Sequence, residues 1–140
     1  MLDYCDIFSK CEHLHALYVE DDTDVAQEVS EILNDFFATV TVVEDGEDGF
    51  EAYKLFYQNN NHYIDIVLTD INMPVLNGID MSKKIRQLNP AQRIIILTAM
   101  HDPDYSEELK NLNIQYIIKK PIKTKDLLLT LSQAGSNIIR

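Results

Sequence analysis

The segment IDIVLTDINMP, residues 64–74, carries the strongest indication of the architecture. Ile, Val and Leu dominate its first six residues without clean alternation, which is typical of a strand buried on both faces of a sheet. The strand then meets a carboxylate at Asp70 and a turn marked by Pro74. A buried parallel strand that ends in an acidic residue predicts an α/β fold with a polar site at that end.

Four similar apolar runs flank this strand on either side, so that five predicted strands occupy residues 14–19, 40–43, 64–69, 93–98 and 114–118. Amphipathic helical patterns separate them. The expected helix starts are Asp22 or Thr23, Asp45-Gly46, Asn77, Pro103 and Thr124. Five strand–helix alternations predict a doubly wound five-stranded parallel sheet with helices on both faces and right-handed crossovers.

This pattern defines the predicted domain organisation. The alternating part spans residues 14–134, which is enough for one domain with a sizeable core. Residues 1–13 precede the pattern as an N-terminal arm or a short helix, and residues 135–140 follow it as a C-terminal tail.

The composition narrows the classes of partner. A formal charge of −11 over 140 residues disfavours direct binding to nucleic acid or to an anionic membrane. Two cysteines make no disulfide framework, and the N-terminus has neither the basic nor the apolar region of a signal peptide. We therefore expect a cytoplasmic protein without a membrane partner.

Chemically active residue types fall where the predicted strands end. Glu20 and Asp21 follow the first strand, Asp70 ends the third, Thr98 ends the fourth, and Lys120 follows the fifth. The carboxyl ends of parallel strands meet at one edge, so these groups converge there. Clustered carboxylates repel one another unless a cation intervenes. Oxygen ligands favour Mg²⁺, although the acids after the first strand could simply cap the helix that follows.

An aspartate beside Mg²⁺ can act as a nucleophile toward a phosphoryl group. The other groups at the edge match the three oxygens of that group. Mg²⁺ can bind one oxygen, the Thr98 hydroxyl can donate to a second, and a lysine ammonium can pair with the third.

Four motifs at these positions together resemble the response-regulator receiver domain of two-component signalling, including the receivers of chemotaxis. The resemblance covers residues 14–134 and implies a flavodoxin-like sheet with strand order 2-1-3-4-5. The motifs are Val19-Glu20-Asp21-Asp22, Asp70-Ile71-Asn72-Met73-Pro74 with Asn77-Gly78, Thr98-Ala99, and Lys120-Pro121.

The resemblance also implies roles for the matching residues. Asp70 would be the phosphoacceptor, and Thr98 and Lys120 would bind the phosphoryl group. Mg²⁺ would be held by Asp21, by Asp70, by the backbone carbonyl of Asn72, and by Glu20 mainly through water.

Strand five carries two further expectations from the resemblance. Pro121 would follow a cis peptide bond. The family usually has an aromatic switch residue three positions before its active lysine. Counting back from Lys120 gives Ile117, and counting forward from Tyr116 gives Lys119, so Tyr116 is a candidate for the switch aromatic and both pairs stay open.

The resemblance implies a signalling switch that catalyses only its own phosphorylation and dephosphorylation. Its partners would be a sensor histidine kinase or histidine phosphotransfer protein, a downstream output domain or target protein, and, on phosphorylation, a second copy of the chain. The switching surface would comprise the fourth helix, fifth strand and fifth helix of the alternating pattern.

Three alternative functions remain. The first is a receiver-like interaction module that is not phosphorylated. A haloacid-dehalogenase-type phosphatase would need a second acid two residues after Asp70, where this chain has Asn72. A flavodoxin-like FMN carrier needs a phosphate-binding loop after the first strand, where this chain has acids.

Overall fold

The computed structural model describes residues 3–136 and residue 138. Five parallel strands form one sheet in the order β2-β1-β3-β4-β5, which confirms the predicted fold class and strand order. The strands are β1 (His15–Val19), β2 (Thr39–Val43), β3 (Ile66–Asp70), β4 (Arg93–Thr98) and β5 (Tyr116–Lys119). Residues 1 and 2 of the predicted arm and residues 137, 139 and 140 of the predicted tail lie outside the described residues.

Helices connect the strands, and one further helix precedes them. They are α1 (Tyr4–Cys11), α2 (Thr23–Phe36), α3 (Gly46–Asn60), α4 (Gly78–Leu88), α5 (Ser106–Asn111) and α6 (Thr124–Gly135). The fourth and fifth helices of the alternating pattern are therefore α5 and α6.

Side-chain caps start the helices as the sequence predicts in three places. The carboxylate of Asp22 accepts from the backbone of residues 24 and 25, that of Asp45 from residue 48, and the Asn77 amide oxygen from residue 80. The expected cap at Thr124 is wrong, because Thr124 is already the first helical residue. Lys123 precedes it in extended backbone and has no side-chain acceptor to offer.

Apolar side chains cover both faces of the sheet. Strand residues alternate between two core clusters: Tyr18 faces α1, α2 and α6, whereas Leu17 and Val19 face α3, α4 and α5. Burial on both faces explains the unbroken apolar runs in the strands. It also leaves the two ends of the sheet as the places where polar groups can gather.

The N-terminal segment is a helix that packs into the core. Asp3 caps α1, and Ile7 and Cys11 are buried in the same cluster as α2 and α6. A Cβ atom placed on Gly135 would lie 3.3 Å from the Cys11 sulfur, so α1 and α6 pack closely. Of the two alternatives that the sequence predicts for this segment, an arm or a short helix, the structure has the short helix. The boundaries of the domain and of its flanking segments stay a prediction.

Candidate functional site

The carboxyl edge of the sheet brings together side chains from three strands. β1 pairs with β3 so that Val19 lies beside Thr69, which places the next residues, Glu20 and Asp70, next to each other. Lys120 follows β5 and reaches across to both acids. Its Nζ atom lies 2.9 Å from Glu20 Oε1 and 3.0 Å from Asp70 Oδ2.

Three carboxylates cluster at this edge. Glu20, Asp21 and Asp70 each place an oxygen within 4.8 Å of the others. Glu20 is 1% exposed and Asp70 is 6% exposed, whereas Asp21 is exposed to solvent. Buried carboxylates that approach so closely require positive charge, and an all-oxygen donor set suits a hard cation. The residues therefore fit Mg²⁺. Asp22 instead caps α2.

The electrostatics of the cluster favour a bound cation. Burial raises the pKa of Glu20 to about 7, and the charge of Asp70 adds to this, while the hydrogen bond and charge of Lys120 oppose it. Burial alone would lower the pKa of the Lys120 ammonium. Its hydrogen bonds to Glu20 and Asp70 and their charges outweigh burial, so its pKa is raised and the ammonium stays charged.

Hydrogen bonds from its two neighbours in the chain fix the side chain and the backbone of Asp70. The Ile71 amide donates to Asp70 Oδ1 at 2.9 Å, and the Thr69 hydroxyl donates to the Asp70 carbonyl at 2.8 Å. The loop then folds back, and the Gly78 amide donates to the Ile71 carbonyl at 2.9 Å. A Cβ atom on Gly78 would lie 2.1 Å from the Asp70 carbonyl oxygen, so only glycine allows this approach.

Asp102 is a site residue that sequence reasoning missed. Its Oδ2 accepts from the Thr98 hydroxyl at 3.2 Å and from the Ala99 amide at 2.7 Å, and its Oδ1 accepts from the Asn72 side-chain amide. Thr98 and Asn72 are both predicted site residues, and Asp102 joins them. A single aspartate in a loop carries no distinctive pattern, so the sequence offered no specific signal.

The structure distinguishes the two lysines at the end of β5 from each other, and likewise the two candidate switch residues. Lys120 contacts the acids and its peptide bond to Pro121 is cis, whereas Lys119 is exposed. Tyr116 packs against the core cluster of α1, α2 and α6. Ile117 is 45% exposed and lines a groove beside α5. The aromatic residue thus lies on the side of β5 away from α5.

Tyr18 is a second residue that the sequence did not single out, and it lies beneath the cluster of carboxylates. Tyr18 is fully buried, and its hydroxyl has no hydrogen-bond partner within the described part of the chain. Burial, followed by the charges of Glu20 and Asp70, raises its pKa. Tyr18 therefore stays neutral and adds no charge beside the acids.

None of the helices within residues 3–136 is both long enough and apolar enough to cross a membrane.

Comparison with known proteins identifies relatives of the whole domain. The sequence model described as the response regulator receiver domain matches residues 16–132. The chemotaxis protein CheY of Treponema pallidum is 27% identical over 113 residues, which cover 80% of this chain and 76% of that protein. The chain spans 26%, 44% and 59% of the length of three other curated relatives.

Solved structures agree with this assignment. The N-terminal domain of an uncharacterized protein from Wolinella succinogenes is 31% identical with a TM-score of 0.76, and the match covers 86% of this chain and 93% of that one. A complex of CheX with CheY, BeF3 and Mg²⁺ from Borrelia burgdorferi contains a chain that is 25% identical with a TM-score of 0.75. That match covers 86% of this chain and 87% of the other.

Proposed function

The chain belongs to the response regulator receiver domain family, and from this premise we propose that Asp70 accepts a phosphoryl group from a sensor histidine kinase or a histidine phosphotransfer protein. The observation that carries the proposal is the position of Lys120, whose ammonium contacts both Glu20 and Asp70 at the carboxyl edge. A signalling switch needs a site that can take up and release a charged group. No metabolic substrate is required for this function.

The reaction we propose is a displacement at phosphorus. A carboxylate oxygen of Asp70 forms the new bond to phosphorus, while the P–N bond of the donor phosphohistidine breaks and its electron pair stays on the imidazole nitrogen. Lys120 already lies 3.0 Å from Asp70 Oδ2, so its ammonium is placed to pair with the incoming phosphoryl oxygens. The Thr98 hydroxyl would donate to another of these oxygens.

The metal ligands we propose are Glu20, Asp21, Asp70 and the backbone carbonyl of Asn72, with Glu20 acting mainly through water. When bound, Mg²⁺ would neutralise negative charge on the phosphoryl group. Two observations support this assignment: the carboxylate cluster fits a hard cation, and a structural relative was solved with BeF3 and Mg²⁺. The ligand roles of the individual residues stay predictions.

The output we propose is a change at the surface formed by α5, β5 and α6. The phosphoryl group must bind one packing of this region better than the other, which shifts the population toward that packing. The surface would then contact an output domain, a target protein or a second copy of the chain. Several relatives are named transcriptional regulatory proteins, which supports a downstream output. A cytoplasmic setting is part of the same proposal.

The test is phosphorylation with acetyl phosphate, followed by intact mass spectrometry. We expect the wild type to gain the mass of one phosphoryl group with Mg²⁺ and much less after chelation. Asp70→Asn should gain none. Absence of the adduct on the wild type would favour the unphosphorylated interaction module, and an equal adduct on Asp70→Asn would show that another residue is modified. Steady release of phosphate from phosphate esters would favour the phosphatase.

A further inference from the structure

Asp102 lies in the loop between β4 and α5 and accepts from three donors. One carboxylate oxygen binds the Thr98 hydroxyl at 3.2 Å and the Ala99 amide at 2.7 Å, and the other binds the Asn72 side chain. Asn72 follows β3, so the carboxylate links the loops after two neighbouring strands. These contacts form the Asp102 clasp, defined by Asp102, Thr98, Ala99 and Asn72.

The clasp occupies a group that the proposed switch needs. The Thr98 hydroxyl has a single proton, so it cannot donate to Asp102 and to a phosphoryl oxygen at the same time. Lys120, by contrast, already contacts Asp70 and has further donors. A phosphoryl oxygen therefore competes with Asp102 for the Thr98 hydroxyl, whereas Lys120 can bind a phosphoryl oxygen and keep its contact with Asp70.

We propose that Asp102 is a positioning residue that holds Thr98 in its unphosphorylated arrangement and so opposes phosphorylation of Asp70. This inference rests on the proposed function. A phosphoryl group on Asp70 must take the Thr98 hydroxyl away from Asp102, and its negative charge also disfavours a second carboxylate beside that hydroxyl. Asp102 thereby sets how readily the receiver adopts its phosphorylated arrangement.

Release of the clasp would be transmitted along the loop that follows. Asp102 also fixes the turn, since its backbone amide donates to the Ala99 carbonyl at 3.1 Å. The tip of the turn carries Met100, which is 95% exposed, so little packing besides the clasp holds it. The loop leads directly into α5, and Asp104 in this loop accepts from the first helical amide, that of Ser106, at 3.0 Å. Loss of the Asp102 contacts would therefore free the loop and the start of α5 together.

The experiment measures the affinity of the intact chain for beryllofluoride, a phosphoryl analogue, at fixed Mg²⁺. Loss of one hydrogen bond to a charged acceptor corresponds to a factor of about ten, so Asp102→Ala should bind the analogue about tenfold more tightly than the wild type. Glu107→Ala is the matched control. It removes the same charge from an exposed position in the first turn of α5 and leaves the clasp intact, so the affinity should be unchanged.

A second comparison distinguishes positioning of Thr98 from a general effect of structure or charge. In a Thr98→Val background the hydroxyl is absent, so the added substitution Asp102→Ala should give little further gain. Asp102→Asn covers the case in which the alanine variant fails to fold. Its amide oxygen can still accept from both the Ala99 amide and the Thr98 hydroxyl, but as a neutral and therefore weaker acceptor, so we expect the analogue to bind more tightly than to the wild type and less tightly than to Asp102→Ala.

The outcomes separate this inference from the proposed function. A wild type that binds no beryllofluoride would contradict the function itself. A wild type that binds it, with Asp102 variants of equal or weaker affinity, would overturn the clasp alone. An undiminished gain in the Thr98→Val background would also overturn it, because the effect would then not pass through the hydroxyl.

Discussion

Glu20 and Lys120 show how a buried carboxylate and a partly exposed lysine can prepare a site for a cation. Lys120 satisfies Glu20 and Asp70 together, yet burial still raises the pKa of Glu20 to about 7. Near neutral pH the carboxyl group is therefore balanced between two protonation states. A cation at the cluster competes with that proton, so metal binding and pH should be coupled.

Mg²⁺ affinity should fall about tenfold between pH 8 and pH 6, because Glu20 becomes protonated across this range. Isothermal titration calorimetry with MgCl₂ measures it. The Glu20→Gln variant is the control and should bind Mg²⁺ more weakly but with little pH dependence. A similar pH dependence in that variant would show that another group titrates.

The same group affects stability in the absence of metal. The ordinary pKa of a glutamate side chain is 4.5, and the pKa of Glu20 is about 7 in the folded chain, so folding takes up a proton between these pH values. The contribution of Glu20 to the free energy of unfolding therefore decreases as pH rises through this window and is lowest above it.

The sequence predicts those site residues whose positions are determined by the ends of the strands. Parallel strands carry Glu20, Asp70 and Lys120 to one edge whatever the loops do, and the structure brings these three into contact. Asp102 acts from a loop whose path depends on tertiary contacts. No periodicity or spacing in the sequence determines where such a carboxylate points.

At the scale of the elements, the loop from β3 to α4 depends on the absence of a side chain at Gly78. A Cβ atom there would lie 2.1 Å from the Asp70 carbonyl oxygen, and backbone cannot move aside cheaply. We expect Gly78→Ala to reduce the free energy of unfolding by about 3 kcal/mol and to impair phosphorylation.

Gly135→Ala is the matched control for this glycine. Its Cβ atom would meet the Cys11 sulfur at 3.3 Å, which a small shift can relieve. Urea denaturation of both variants provides the comparison. Equal losses of stability would mean that the approach of Gly78 to Asp70 does not constrain the loop.

The helix α1 should contribute to global stability rather than act as an appendage. Ile7 is 1% exposed within the core cluster of α2 and α6, so Ile7→Ala should cost about 3 kcal/mol in the free energy of unfolding. Phe8→Ala, at a position that is 47% exposed on the same helix, should cost much less. If neither variant changes the urea midpoint, α1 does not belong to the cooperative unit.

Most elements could be predicted from the sequence, because buried strands and capped helices leave local patterns. Asp22, Asp45 and Asn77 are acceptors that begin helices in the structure as they do in the pattern. The sequence does not decide whether the N-terminal segment is helical. A helix of eight residues is too short to be stable alone, and α1 depends on packing against α6. The prediction of Thr124 as a cap is wrong because this residue type is a good cap, but here it stands one position too late and is already helical.

At the scale of the whole molecule, the site and the proposed output surface lie on one continuous path. Thr98 ends β4, the Asp102 loop follows, and α5 and β5 come next in the chain. Beryllofluoride with Mg²⁺ should therefore change amide hydrogen exchange most in residues 99–119. The matched control is Asp70→Asn with the same reagents. Changes confined to α2 and α3 would contradict this route.

The central claim is that the side chain of Asp70 carries the phosphoryl group. Its most direct test is treatment with acetyl phosphate and Mg²⁺, reduction of the acyl phosphate with borohydride, and peptide mass spectrometry of the product. We predict homoserine at position 70 and unmodified aspartates elsewhere. Homoserine at Asp21 or at another aspartate, with position 70 unchanged, would contradict the claim.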